Sequence, residues 1–270
     1  MLDKSLGTLI AQGRTADIHA FQDEQTVIKL YHDWFRLEWI QQEAARSGAI
    51  QGLGLPIPRV GDLIQVSGRN GLIFERIYGE NMLAMLKKKP ELASNFASRL
   101  ADLHIQLHAL DAQPDIPLQR QKLESNIRRA APLSDALKSA LINRLHDMPD
   151  GRSVCHGDFH PGNIVVSRRE NANEVIVDWN DCSLGNPLAD VARSTILFLG
   201  GITGNETPDL AFEQLVRDCH QQYLAHYFEL SSCNMYEYKQ WLPIVAGARL
   251  SENITALEPW LLSEAKKINS

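Results

Sequence analysis

Three oxygen-bearing side chains stand where a loop and a strand end would present them. The segment His156-Gly157-Asp158-Phe159-His160-Pro161-Gly162-Asn163 carries an aspartate and an asparagine on a Gly/Pro-punctuated loop, and the apolar run Ile164-Val165-Val166 follows. A second β-branched run, Val175-Ile176-Val177, ends in Asp178. The Asp178 carboxylate and the Asn163 carboxamide are hard oxygen donors of the kind Mg²⁺ accepts, an ion that takes few protein ligands and keeps several waters. Asp158 could accept or orient the proton of an attacking hydroxyl. Such a set suits phosphoryl transfer, which is mostly a problem of positioning and of neutralising charge. Any one of the three alone could be an Asx-turn residue in a Gly/Pro loop. All three, bracketed by strands, favour the chemical reading.

His156 and His160 offer a rival: two imidazoles and two nearby carboxylates could hold a transition metal for hydrolysis. Gly157, Pro161 and Gly162 oppose the helix that would put both rings on one face. His156 is therefore expected to pack and steady the loop, and His160 to be structural. Lys29 closes the run Val27-Ile28-Lys29, and a lysine at a strand end can reach phosphates as a point charge. Its expected ion-pair partner is Glu43, because Trp39 one helical turn earlier should mark the inward face. Glu38 is the second choice. Gly13-Arg14-Thr15 lies between two predicted strands, where backbone N–H groups or the Thr15 hydroxyl could contact phosphate. One glycine is a weak phosphate signature.

The elements that must position these groups divide into two kinds. Leu9–Ala11, Ile18–Phe21 and Thr26–Leu30 read as short strands. Asp33 is the expected N-cap of a helix to about Ser47, with Gly48 behind it and Phe35, Trp39 and Ile40 on its inner face. Gly61–Ser67 and Leu72–Tyr78 read as a hairpin around Gly68-Arg69-Asn70-Gly71. From about Asn81 the pattern turns helical: Leu92–Leu110 (inner face Phe96, Leu100, Leu103, Leu107), Leu188–Leu199, Asp209–Leu230 and Met235–Leu257. The class expected is α+β: residues 1–79 as a small antiparallel-sheet lobe with one helix, and 80–270 as a larger, mainly helical lobe.

Composition excludes several classes. The chain has 270 residues, 44% apolar and 22% charged, with a net charge of −6, which argues against nucleic acid as partner. Most of the acidic excess falls between Asp181 and the C-terminus, and it could attract a cationic substrate. No apolar stretch is long enough to span a bilayer, and the first residues lack a basic region followed by an apolar run. No membrane association and a cytoplasmic location are expected. Cys155, Cys182, Cys219 and Cys233 show neither metal nor redox spacing, so buried free thiols are expected.

From the first strands to at least Arg193 the chain resembles the aminoglycoside phosphotransferase/choline kinase-like family of small-molecule kinases. The resemblance is carried by His-Gly-Asp-x-His-Pro-Gly-Asn, then Ile-Val-Asp-Trp and Gly-Asn-Pro-Leu-Ala-Asp, with Lys29 and Glu43 upstream. Protein kinases carry Arg before the catalytic Asp and Phe-Gly after the metal Asp, where this chain has Gly157 and Trp179-Asn180. The resemblance implies a two-lobed, protein-kinase-like fold that uses ATP, or GTP, and Mg²⁺. It implies Asp158 as catalytic base, Asn163 and Asp178 as magnesium ligands, and Lys29 as a phosphate ligand paired with Glu43. The backbone of Glu75 and Ile77 would meet adenine, and Asp190 would hydrogen-bond the catalytic loop. Asn180 departs from the family pattern, in which many relatives have a carboxylate. The implied partner is a small-molecule hydroxyl acceptor: an aminoglycoside, choline or another amine, a sugar, homoserine or an acyl-type metabolite. Asp181, Trp241, Arg249 and Glu252 are candidates for lining its site. A nucleotide-binding pseudokinase with a regulatory or scaffold role is the alternative. The sequence does not specify the oligomeric state.

Overall fold

The computed structural model describes residues 6–22, 24–110, 115–168, 174–203 and 209–269. The first residues, on which the absence of a leader rests, lie outside these. The chain forms two compact units, one of 1–81 with 164–180, the other of 82–163 with 181–270. The division falls two residues beyond the expected boundary at Gly79, and the segment after the Asp/Asn loop joins the first unit.

The chain begins with strands β1 (Leu6–Gln12), β2 (Ala16–Phe21) and β3 (Thr26–Tyr31). Helix α1 (Leu37–Gln51) follows, then β4 (Val60–Val66), β5 (Arg69–Glu75) and the short β6 (Gly79–Asn81). The sheet runs β1-β2-β3-β5-β4, antiparallel throughout. Side chains alternate across a strand, so Ile28 and Leu30 pack with Phe21 and Val66 on one face. Tyr31 packs with Phe35, Ile40 and Leu72 on the other. Lys29, opposite Leu72 in the register, shares that second face.

Two local expectations shift. The β4–β5 turn is Ser67-Gly68, both at positive φ (52° and 83°), the two-residue geometry that matches strand twist. Gly71 instead lies inside β5, where a Cβ would come within 2.5 Å of Ile28 Cδ1. Helix α1 starts at Leu37 with Arg36 as N-cap, because Phe35 is held back by stacking on Tyr31 at 5.1 Å. It runs through Gly48 to Gln51.

The second unit opens with α2 (Met82–Lys88), α3 (Ala93–His108), α4 (Gln119–Arg129), α5 (Asp135–Asp147) and strand β7 (Ser153–Cys155). The Asp/Asn loop ends in a 3₁₀ turn, Pro161–Asn163. Strands β8 (Ile164–Ser167) and β9 (Glu174–Ile176) then pair with each other and with β6, which is what draws this hairpin into the first unit. Strand β10 (Ser183–Gly185) pairs with β7. The chain closes with α6 (Pro187–Gly200), α7 (Leu210–Leu230), α8 (Met235–Arg249) and α9 (Glu258–Lys266).

Local sequence sets the helix starts. Asn186 caps α6 by accepting from Leu188 N–H with Pro187 at the first position, and Asp209 caps α7 by accepting from Phe212 N–H. Helix α8 stops eight residues before the expected Leu257, where 3₁₀ turns and a left-handed Asn253 (φ 54°) intervene. Helices α4, α5 and α9 lie outside the helices expected from the sequence, although α5 buries Leu141, Ile142 and Leu145 at helical spacing behind the Ser134 cap. No helix among the described residues is long and apolar enough to cross a membrane. All four cysteines are free, and Cys233 is only partly buried.

The face of α3 expected to be internal is so: Phe96, Leu100, Leu103 and Leu107 are all buried. Leu100→Ala should therefore cost about 2–5 kcal/mol of stability. Urea unfolding would show it, and an unchanged midpoint would mean this face is not core.

Candidate active site

In the first unit, three charged side chains converge. Lys29 Nζ donates to Glu43 Oε1 at 2.7 Å and to Asp178 Oδ1 at 3.1 Å. Tyr31 Oη donates to Glu43 Oε2 at 2.9 Å. Glu43 is only 1% exposed. Burial works against the Lys29 ammonium, but Asp178 and Glu43 more than offset it and hold its pKa above the ordinary lysine value. Burial raises Glu43, against the pull of Lys29 and the hydrogen bonds it accepts. Glu38 is exposed and lies 3.6 Å from Arg36. Glu43 thus sits where the sequence placed it, although not for the reason given. Trp39 is 39% exposed, and the inward stripe of α1 is Ile40, Glu43, Ser47 and Ile50.

Asp178 follows β9 in a left-handed backbone conformation, φ 66°. A non-glycine residue held there costs about 1–3 kcal/mol, and such strain clusters at functional sites. The neighbours that hold it are Lys29, Trp179, whose Nε1 donates to the Ile176 carbonyl at 3.1 Å, and Arg46, which donates to the Asn180 carbonyl. Asn180 enters this site through its backbone. Gly13 and Thr15 form the β1–β2 turn: Gly13 N–H donates to the Ala16 carbonyl, and Thr15 accepts from His32 N–H. Glu75 ends β5 beside Arg59, and Ile77 follows on the segment to β6.

In the second unit the 156–163 loop is built around Asp190, in the first turn of α6. Its carboxylate accepts His156 N–H at 2.7 Å and Gly157 N–H at 2.8 Å. Oδ2 also meets His104 Nε2 at 3.1 Å and His108 Nε2 at 3.3 Å. Burial would raise Asp190, yet these two rings hold it well below the usual carboxylate range. An ionised carboxylate only accepts, so both Nε2 atoms carry the hydrogen. His104, kept neutral by burial, then accepts at Nδ1 from Tyr223 Oη at 2.7 Å, and His108 Nδ1 meets Tyr227 Oη at 2.8 Å. Gly157 has φ 77°, and a Cβ there would lie 2.4 Å from the Asp181 carbonyl oxygen. Only glycine fits between the two anchored amides.

This loop presents Asp158. Asp158 N–H donates to His156 Nδ1 at 3.1 Å. Asn163 Nδ2 donates to the Asp158 carbonyl and to Asp158 Oδ2, each at 2.9 Å. An amide that donates with its nitrogen keeps its oxygen for another partner, and that oxygen is the atom a hard cation would take. His160 Nδ1 accepts from Gly162 N–H at 3.0 Å, and its Nε2 lies 3.7 Å from Asp158 Oδ2. Burial would raise Asp158, but His160 and Arg193 hold its pKa well below normal. It is a carboxylate at neutral pH. The histidine–carboxylate cluster found among the described residues is not His156/His160 but His104, His108 and Asp190, with ligand atoms within 4.8 Å. Since Asp190 is committed to two loop amides, the cluster is a hydrogen-bonded brace. Its sequence signal was available: His104-x-x-x-His108 lies on a helix, where such a pair shares a face.

Beside the loop, within the same unit, a cavity is lined by residues that include Gly157, Asp181, Arg193, Arg249 and Glu252. Asp181 and Glu252, two of the expected acceptor-site residues, are on its wall, as is Arg249. Trp241 is 2% exposed in α8 and is not among the lining residues. Sequence reading passed over Lys122 and Arg193. The latter lies one helical turn after Asp190 and donates to the Gly157 carbonyl at 3.0 Å.

The phosphotransferase enzyme family model, APH, matches residues 8–226. Among solved structures, a thermostable mutant of aminoglycoside phosphotransferase APH(4)-Ia is similar with a TM-score of 0.64 and 14% identity, over 98% of this chain and 94% of that one. An aminoglycoside-3'-phosphotransferase of type VIII gives 0.62 and 17%, over 92% and 94%. An amicoumacin kinase bound to AMP-PNP, Ca²⁺ and Ami gives 0.62 and 13%, over 97% and 87%. The fold is thus kinase-like, with a five-stranded antiparallel N-terminal sheet and a mainly helical C-terminal part. Among curated sequences, acyl-CoA dehydrogenase family member 11 of Rattus norvegicus is 27% identical over 78 residues, 29% of this chain. Member 10 of Mus musculus is 27% identical over 180 residues, 59% of this chain. The matches span only 10% and 17% of those relatives' lengths.

Acid should loosen the brace. Burial and the His108 ring hold His104 down to about 3, and burial holds His220 down to about 4, against an ordinary 6.5. Between 6.5 and those values the unfolded chain binds protons that the folded chain does not. Stability therefore falls on acidification through that window, by up to about 1.4 kcal/mol per pH unit for each ring. Urea unfolding at pH 7, 6 and 5 should show the decline, with a shallower slope for His104→Gln. A flat profile would contradict the buried neutral state.

Proposed function

We infer that this chain, which belongs to the APH phosphotransferase enzyme family, is a small-molecule kinase that moves the γ-phosphate of ATP, or of GTP, to a hydroxyl group. The observation that most supports this is the Lys29 ammonium shared between Glu43 and Asp178. Positioned cation and carboxylate are what a polyphosphate and its counter-ion require.

Asp178 would offer a carboxylate oxygen and Asn163 an amide oxygen, each a hard donor of the kind Mg²⁺ accepts. The ion, when bound, would supply neutralisation of phosphate charge. Lys29 would hold the α- and β-phosphates, kept in place by Glu43. The backbone around Glu75 and Ile77 would contact the adenine, and the Gly13–Thr15 turn the phosphates. Asp158 would take the proton of the acceptor hydroxyl as the new O–P bond forms. The bond from the γ-phosphorus to the bridging oxygen breaks, and ADP leaves. The transfer is in line and direct. His156 and Asp190 act only by placing the loop.

Asp158→Asn should lower turnover by about 10²–10⁴-fold while MgATP affinity stays within a few-fold. ADP release measured across aminoglycosides, choline, sugars, amino alcohols and hydroxy acids reads this directly. Equal turnover in the variant would remove Asp158 from the mechanism. MgATP binding with no transfer to any acceptor would favour a nucleotide-binding regulator. Asp178→Ala should weaken MgATP binding itself in a calorimetric titration, and undiminished binding would show that the metal lies elsewhere.

A further inference from the structure

Helix α6 grips Gly157 from both sides. Asp190 Oδ1 accepts the Gly157 N–H at 2.8 Å, and Arg193 Nε donates to the Gly157 carbonyl at 3.0 Å. The two side chains are three residues apart on the helix and so share a face. That carbonyl belongs to the same planar peptide as the Asp158 N–H, which donates to His156 Nδ1 at 3.1 Å. The 157–158 peptide is therefore held at its oxygen and at its nitrogen.

Glycine creates the need for this double hold. Gly157 stands at φ 77°, and a Cβ there would lie 2.4 Å from the Asp181 carbonyl oxygen. The missing Cβ that admits the turn also widens the range of ψ open to the residue. A change in ψ at Gly157 rotates the next peptide and swings Asp158 with it. Asp190 restrains the amide that enters Gly157, and Arg193 restrains the carbonyl that leaves it.

Arg193 is itself fixed. Its Nη2 donates to Glu252 Oε1 at 2.6 Å, and its side chain is 16% exposed. Glu252 ends the 3₁₀ turn Leu250–Glu252 that follows α8. One planar guanidinium thus joins that turn to the loop through two different N–H groups, which the single ammonium of a lysine would reproduce poorly. Burial works against the Arg193 charge, but Glu252, Asp158 and Asp181 more than offset it. Removing this cation would release the Gly157 carbonyl and deprive three neighbouring carboxylates of a common counter-charge.

We propose that Arg193, anchored by Glu252, is a positioning residue for phosphoryl transfer: it locks the 157–158 peptide and so aims the Asp158 carboxylate at the acceptor hydroxyl. The proposal rests on the kinase reading above. It gives the turn after α8 a part in the reaction, exerted through Arg193 alone.

The test uses the full chain, with Arg193→Gln, Arg193→Lys, Glu252→Gln and the double variant. Hydrogen exchange, read residue by residue by NMR, needs no acceptor. The Asp158 amide should exchange about 10- to 100-fold faster in Arg193→Gln, the range for losing a charged hydrogen bond, while the α3 amides of Leu100 and Leu103 keep their protection. ADP release with kanamycin, choline, glucose, homoserine and glycerate supplies the kinetic arm. For an acceptor the parent chain uses, kcat should fall by about 10- to 100-fold and KM for MgATP should stay within about two-fold. Arg193→Lys should recover part of the loss. Glu252→Gln should show a smaller loss of the same kind, and it keeps the test open if Arg193→Gln does not fold. The double variant should be no slower than Arg193→Gln, because the two residues act in series. Parent-like exchange at Asp158, a parent-like kcat, or additive losses in the double variant would overturn the proposal and leave the kinase reading standing. If the parent chain releases ADP with none of these acceptors, the kinase reading fails on its own. The exchange arm then decides the lock: acceleration confined to the loop supports it, and unchanged exchange overturns it.

Discussion

The Asp190 carboxylate is the constraint from which the 156–163 loop follows. It is 1% exposed and receives two loop amides and two imidazoles. A buried carboxylate without such donors would be costly, and removal of the donors would leave its charge stranded. Satisfying it forces His156 and Gly157 to turn their N–H groups inward. Glycine with positive φ makes that possible, and Asp158 is then directed away from the anchor. Helix α6, its Asn186 cap and the α3 histidines all serve the placement of one carboxylate.

The first unit depends on a different buried charge. Glu43 has almost no solvent, so Lys29 and Tyr31 must both reach it. Alternation along β3 puts Lys29 and Tyr31 on the same face, so one strand meets both carboxylate oxygens. Lys29 then extends to Asp178, whose backbone is held in a strained conformation. A buried ion pair adds little net stability. This one orients a cation and leaves Asp178 41% exposed on its side chain.

Net charge and local charge diverge in this protein. The chain is acidic overall, and its C-terminal part more so. Nevertheless the cavity beside the 156–163 loop gathers Lys122, Arg193 and Arg249 among carboxylates paired with cations or loop amides. Long-range attraction depends on the summed charge, while recognition depends on the groups at the wall itself.

The loop, its Asp and Asn, and the second Asp at a strand end were legible in the sequence because their order along the chain is itself the pattern. The five-stranded sheet and the principal long helices were legible because period-2 and period-3.6 burial shows in short windows. Glu43 was found through a neighbour, Trp39, that turned out to be exposed. Helix phase was right, but solvent decided which side of the stripe was inward. The β4–β5 turn moved because packing against Ile28, invisible locally, claimed Gly71 for the strand. His104 with His108, Lys122 and Arg193 lie far in sequence from the residues they hold. The i, i+4 spacing shows that His104 and His108 share a face, but only tertiary structure could assign their partner and those of Lys122 and Arg193, since a hydrogen bond between distant segments leaves no periodicity. The sequence by itself determined the fold class and the family pattern, through chain order and local periodicity. The partners of each buried charge, and the residues that meet at the cavity wall, were decided only when the chain closed on itself and water was excluded.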